Sequence, residues 1–314
     1  MKYRQIGNSN LNVSIVGLGT WVFGGREWGE TEDAVSIQVV RGAVEKGINF
    51  IDTAPIYGNG RSEEVIGKAL AEIKREAVII ATKCGLEQKG TSIRHNLSPG
   101  FIRQEIENSL KRLNVETIDL YQCHWPDPDT PIEETMQELK TLVSEGKIRY
   151  IGVSNFNQEL LARALALAPV TSNQVRYSIL DREIENDIIP FCERSHVSVL
   201  AYGPLGGGIL TGKYKKQPHF SKGDVRSFFY KYYREPVWSK VKELIMVLAE
   251  ISEKHKVPVS QIAIDWVLNK KVVASCLTGC RSLAQLEKNI GASEINLSED
   301  EIALIEKEYK RLFL

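Results

Sequence analysis

Four side chains of complementary chemistry stand at or just past the ends of apolar runs. Phe50-Ile51 leads into Asp52, and Tyr57 follows five residues later in a loop holding Gly58 and Gly60. Ala77–Thr82 leads to Lys83, and Ile118–Cys123 leads to His124-Trp125. A lone charge where a strand leaves the core costs several kcal/mol, on the order of transfer values, unless it is paired. Asp52 and Lys83 supply such a pair. A tyrosine phenol, with an ordinary pKa of about 10, keeps its proton at neutral pH. An adjacent ammonium lowers that pKa, so Tyr57 can give its proton to an alkoxide as it forms. His124 can orient a carbonyl oxygen. The set is suited to reducing a carbonyl, and since no side chain donates hydride it implies a nicotinamide cofactor.

These groups need a frame that brings strand ends together. Eight runs rich in β-branched residues recur: Val13–Leu18, Asn49–Thr53, Ala77–Thr82, Ile118–Cys123, Arg149–Val153, Ser172–Val175, Val197–Ala201 and Val272–Leu277. Most are nearly continuous rather than alternating, as in parallel strands buried on both faces. Helical patterns lie between them, at Asp33–Val44, Ser62–Ile73, Gln158–Leu167, Glu183–Glu193 and Lys240–His255. Ser98-Pro99 opens another helix, with Ile102, Ile106 and Leu110 in line. Thr130-Pro131-Ile132-Glu133 and Ser298-Glu299-Asp300-Glu301 read as capping boxes. Ile132, Met136, Leu139 and Val143 form the buried face of the helix after Thr130, and Gly146 stops it. Eight strand–helix alternations without a linker predict a single (β/α)8 TIM barrel over residues 1–314. A doubly wound sheet binding a dinucleotide would carry GxGxxG after its first strand; the chain reads GLGTWVFGG there. Gly7-Asn8 suggests an N-terminal β-hairpin capping the barrel bottom. Residues 206–238 are a long insertion after strand seven, a length usually tied to function.

Composition excludes little but points one way. Lysine plus arginine and aspartate plus glutamate each number 40, giving zero net charge. Neither nucleic acid nor an anionic membrane is favoured as a partner. No apolar run reaches the roughly 20 residues needed to span a bilayer. MKYRQIGNSN lacks a signal peptide's apolar core, and the five scattered cysteines read as reduced thiols, so a cytoplasmic protein is expected. Cys276 and Cys280 have no companion His or Cys cluster, so no metal site is read.

Longer stretches carry a resemblance. GLGTW (17–21), NFIDTAPIYGNGRSEEVIGKAL (49–70), ATKCG (81–85), LKRLNVETIDLYQCHWPD (110–127), GKIRYIGVSNF (146–156), YGPLGGGILTGKY (202–214) and TGCRSLAQLEKNIGA (278–292) resemble aldo-keto reductases across nearly the whole chain. They are most similar to bacterial general reductases and potassium-channel β-subunits. The resemblance implies the catalytic tetrad Asp52, Tyr57, Lys83 and His124 and an extended NADPH or NADH. Thr20, Trp21 and Asp52 would border that cofactor. Ser154, Asn155 and Gln174 match positions holding the nicotinamide carboxamide, and Tyr202 the aromatic stacked on its ring. Gly203, Pro204, Leu205 and Gly207 match the pyrophosphate path, and Lys213 and Arg226 match residues reaching phosphates. Gly279, Arg281, Gln285, Lys288 and Asn289 match the adenosine end. Arg281 beside a helix start capped by Ser282 suits a 2′-phosphate and favours NADP(H) over NAD(H). Gly279, Cys280 and Gln285 are uncharged where many relatives carry Lys, Ser or Arg.

Other readings are weaker. Gly207-x4-Gly212-Lys213 nearly spells a phosphate-binding loop, but Tyr214 stands where the Ser or Thr magnesium ligand belongs. Lysines, arginines and aromatics interleave over 214–238, as in single-strand binders; with zero net charge a lid over the cofactor is the preferred reading. Trp21, Tyr57, His124 and Trp125 are expected to wall the substrate pocket, with specificity set by the 206–238, 21–31 and 84–98 segments. The channel-subunit likeness leaves one alternative, a cofactor-bound regulatory or redox-sensing subunit with little turnover.

Overall fold

The computed structural model describes every residue of 1–314 except Arg26, in the 21–31 loop. Twelve strands are described. They are β1 (Tyr3–Gln5), β2 (Asn12–Ser14), β3 (Val16–Gly19), β4 (Phe50–Asp52), β5 (Ile79–Cys84) and β6 (Leu86–Lys89). The rest are β7 (Ser92–His95), β8 (Ile118–Cys123), β9 (Ile148–Ser154), β10 (Val170–Arg176), β11 (Ser198–Tyr202) and β12 (Val273–Gly279). The helices are α1 (Asp33–Glu45), α2 (Arg61–Leu70), α3 (Pro99–Leu113), α4 (Ile132–Ser144) and α5 (Gln158–Leu167). They continue with α6 (Ile188–Arg194), α7 (Val237–His255), α8 (Val259–Leu268), α9 (Leu283–Ile290) and α10 (Glu299–Phe313).

Strands β3, β4, β5, β8, β9, β10, β11 and β12 close, all parallel, into a barrel. The structure is therefore the (β/α)8 TIM barrel that the alternation predicts. Residues such as those of β8, buried at every position, face helices on one side and the barrel interior on the other. The antiparallel hairpin β1–β2 plugs the bottom: Ile6, Leu11 and Val13 pack with Phe50, Ala81, Leu120, Leu200 and Ala274 inside the cylinder. The far larger apolar cluster lies between barrel and helices.

Several local expectations are corrected. The first run, Val13–Leu18, divides at Ile15, where the chain leaves the hairpin and enters the barrel. The helix expected over Glu183–Glu193 becomes a 3-10 turn at Glu183–Glu185 and then α6. Pro190 has no N–H and is tolerated only in a first turn, which α6 provides. The box at Thr130 does not form: its hydroxyl donates to Asp127 Oδ2 at 2.6 Å, and Pro131 occupies the cap position. On α4, Leu142 is buried in place of Val143, which is exposed. Ser298 does form its capping box with Glu301. Helix α8 escaped the periodicity reading because Ser260–Leu268 are all buried, so no polar stripe marks it. The 84–98 segment is not a plain loop but carries the β6–β7 hairpin.

Candidate active site

The C-terminal ends of the barrel strands open into one cavity of about 570 Å³. Asp52 ends β4, its side chain almost wholly buried. Lys83, on β5, lies fully buried beneath the cavity floor. Its Nζ donates to Asp52 Oδ1 at 2.6 Å and to the Thr53 carbonyl at 2.8 Å. The same nitrogen is 3.4 Å from the Tyr57 hydroxyl. Gln122 and Gln174 donate their amide N–H groups to Asp52 Oδ2 at 3.1 and 2.7 Å. The buried pair thus has the further hydrogen bonds without which desolvation would outweigh its attraction.

The loop after β4 aims Tyr57 by a close backbone approach. Gly58 has φ 63°, and a Cβ there would stand 2.5 Å from the Gly24 carbonyl oxygen. Only glycine fits both the conformation and the space. The Tyr57 ring then meets Trp21 in a stack, centroids 6.0 Å apart, and the His124 ring edge-on at 5.8 Å.

One sequence expectation about this cluster is overturned. Lys83 nearby does not bring the Tyr57 phenol below its ordinary value; burial first, then the Asp52 carboxylate, push it well above 10. The ammonium is already matched by Asp52, so its field at the hydroxyl is reduced. Burial also lowers the Lys83 ammonium, against the raising influence of Asp52. His124 is driven well below its ordinary value by burial and by Lys83. At neutral pH the site therefore presents a protonated phenol and a neutral imidazole.

Beyond Tyr57 the cavity wall changes character. Ser154 Oγ donates to the Gln174 carbonyl at 2.8 Å. Asn155 takes φ 60°, a left-handed conformation that asparagine tolerates better than most residues. There its Nδ2 donates to the His124 carbonyl at 3.1 Å, and its Oδ1 accepts the Tyr202 hydroxyl at 3.0 Å. Gly203, Pro204, Leu205, Gly207 and Gly208 continue the wall, and its glycines 203, 207 and 208, all at positive φ, present bare backbone to the cavity. At the outer end Lys213, Arg226, Gly279, Arg281, Gln285, Lys288 and Asn289 line the same cavity. Thr20, Trp21 and Trp125 line it as well, so every residue singled out from the sequence except buried Lys83 borders one space.

At the outer end Ser282 caps α9 without a reciprocal bond from Gln285. Ser282 Oγ accepts the Gln285 N–H, but Gln285 Oε1 accepts the Arg281 N–H at 2.9 Å instead of returning to Ser282. Arg226 holds Asp224 with Nε 2.8 Å from Oδ1. Arg281 donates to the Trp28 carbonyl at 2.9 Å. The insertion covers the cavity from the other side: the Val225 N–H bonds the Glu27 carbonyl at 2.8 Å, and Phe229 packs edge-on against Trp21.

An extended dinucleotide fits this arrangement. Amide and hydroxyl groups sit near Tyr57, an aromatic ring and bare backbone follow, and four cationic side chains wait at the far end. Both acidic lining residues, Asp52 and Glu27, belong to the Tyr57 end. The buried indole N–H of Trp28, another lining residue, has no acceptor among the described residues.

Sequence reading missed Gln122, Glu27, Trp28, Ile56, Leu86 and Ile93 as site residues. Gln122 was within reach: Leu120, Gln122 and His124 alternate on one face of β8, and Leu120 points into the barrel. Leu86 and Ile93 come from the β6–β7 hairpin, within a segment expected to set specificity. His95, given no role from sequence, anchors that hairpin through Pro126 O at 2.8 Å and packs on Trp125.

The profile of the Aldo/keto reductase family matches residues 15–310. Aldo-keto reductase YhdN of Bacillus subtilis is 40% identical over 289 residues, 91% of this chain and 87% of its own. The NADH-specific methylglyoxal reductase of Escherichia coli is 35% identical, with 97% of each chain covered. Among solved structures, the glycerol dehydrogenase AKR11B4 from Gluconobacter oxydans superposes with a TM-score of 0.92. Its sequence is 38% identical, over 99% of this chain and 96% of that one. No described helix is long and apolar enough to cross a membrane. The barrel, its cavity and these relatives agree: the chain belongs to the Aldo/keto reductase family and is an NAD(P)H-dependent oxidoreductase.

Proposed function

We propose that residues 1–314 act as one barrel domain that reduces the carbonyl of an aldehyde or ketone, with Tyr57 as the general acid. The bound nicotinamide supplies the hydride. The observation that carries this reading is the contact of Lys83 Nζ with both Asp52, at 2.6 Å, and the Tyr57 hydroxyl, at 3.4 Å. Tyr57 holds a proton at every physiological pH and releases it only to a strongly basic alkoxide as that charge develops. Lys83 stabilises the phenolate left behind, and Asp52 keeps Lys83 charged and fixed. His124, neutral and edge-on to Tyr57, donates to the carbonyl oxygen and orients it. Ser154, Asn155 and Gln174 hold the carboxamide, and Tyr202 supports the ring.

The outer cations serve the phosphates. Arg281, with Gln285 braced on its backbone, favours NADP(H) over NAD(H). A cytoplasmic location suits the reduced, buried cysteines. The methylglyoxal reductase relative suggests small dicarbonyls as substrates to try.

Oxidation of NADPH with a panel of aldehydes tests the reading. Tyr57→Phe should lower kcat by roughly 10²- to 10⁴-fold while leaving dinucleotide affinity nearly intact. Near-wild-type turnover by that variant would refute the acid role. Absence of turnover by the parent protein across the panel would favour the regulatory alternative, against which the intact His124 stands.

A further inference from the structure

Among the described residues, the substrate end of the cavity carries unpaired charge of one sign. Ile56, Leu86, Ile93 and Phe229 make its wall apolar. Glu27 lines the same cavity. Its carboxylate accepts the indole N–H of Trp21, the ring stacked on Tyr57. Its backbone carbonyl is tied to Val225, so the residue is held between the 21–31 loop and the insertion. The charge also reaches the reacting centre: after burial, Asp52 and Tyr202, Glu27 adds to the causes raising the Tyr57 phenol.

The cations near this end are engaged elsewhere. Lys83 is matched by Asp52 at 2.6 Å, and Arg226, toward the outer end, by Asp224. Arg176, under Phe229, pairs with Asp181 at 3.0 Å. On the hairpin, Lys89 pairs with Glu87 at 2.7 Å and Arg94 with Asp129 at 3.7 Å. His124 is held neutral. Among the described residues, Glu27 is in no ion pair.

We infer that Glu27 selects substrates by charge: the pocket takes neutral or cationic carbonyl compounds and disfavours those bearing a carboxylate or phosphate. This rests on the carbonyl-reductase reading above. A substrate charge roughly 8 Å from the carboxylate, near a protein surface, alters kcat/KM about three- to thirty-fold. The Debye length at physiological ionic strength is also about 8 Å, so added salt should weaken the effect.

Three benzaldehydes of similar size test it, with 4-nitro, 4-carboxy and 4-trimethylammonio substituents. The measured quantity is kcat/KM of each charged compound divided by that of the nitro compound, in the parent protein and in Glu27→Gln. Ratios taken within one protein cancel changes in basal rate or folding, and comparing proteins cancels ring electronics. Glu27→Gln should raise the carboxylate ratio and lower the ammonium ratio, each about three- to thirty-fold. Added sodium chloride should narrow the parent's contrast and leave the variant's unchanged. Ratios equal in the two proteins, with the nitro compound turned over by both, would overturn the assignment to Glu27. No turnover of any of the three by the parent protein would overturn the reductase reading itself.

Discussion

Replacing Lys83 with methionine removes the ammonium while keeping most of the volume, and its effect can be worked from the geometry. At 3.4 Å from the Tyr57 hydroxyl, a unit charge acting through an effective dielectric constant near 20 is worth about 5 kcal/mol to a full phenolate, and half that to a half-transferred proton. About 1.4 kcal/mol makes one decade of rate, so kcat should fall by roughly 60- to 4,000-fold. Asp52 offsets part of the lysine's charge, which moves the expectation toward the lower figure. The same change strands the Asp52 carboxylate in a buried site, where breaking such a pair typically costs about 3–5 kcal/mol. Gln122 and Gln174 still donate to Asp52, which moderates that cost. The double variant Lys83→Met with Asp52→Asn removes both charges and should regain most of the lost thermal midpoint without regaining turnover. The assay is steady-state NADPH oxidation beside a thermal melt and a dinucleotide titration for each variant. A single variant within fivefold of the parent in kcat, or a double variant whose activity returns with its stability, would show that Lys83 only holds the fold.

Two further outcomes follow from other sites. Glu105 is 7% exposed, its Oε2 accepts the Gly85 N–H at 2.6 Å, and burial pushes its carboxyl up to about 8. An unfolded glutamate titrates near 4.3, so between those values the folded state keeps a proton the unfolded chain has lost, and stability falls as pH rises. The full window is worth up to about 5 kcal/mol. Glu105→Gln keeps an acceptor for Gly85 and removes that titration, so the fall in thermal midpoint from about pH 5 to pH 8 should shrink; identical slopes would place the titration elsewhere. Arg281→Ala should weaken NADPH binding by about 10- to 100-fold, as expected for a lost hydrogen bond from a charged group, and weaken NADH binding far less. Equal losses in the two dissociation constants would refute the 2′-phosphate role.

The sequence by itself determined the barrel. Near-continuous apolar runs alternating with amphipathic segments leave few other ways to bury both faces of eight strands. It also determined which polar groups meet, because residues at the C-terminal ends of successive strands must converge. Asp52, Lys83 and His124 were legible on that ground, and Gln122 would have been had the alternation along β8 been followed. Tertiary structure alone decided whatever depends on a neighbour distant in the chain. Burial and Asp52 hold the Tyr57 phenol above its ordinary value although Lys83 stands beside it, since desolvation is a property of the assembled cluster. Gln174, more than a hundred residues from Asp52, donates to its carboxylate only because the closed barrel brings the two strands' ends together. Helix α8 lacked a polar stripe because the folded protein surrounds it on every side. Glu27 joined the site because Val225, almost two hundred residues later, pins its backbone over the cavity.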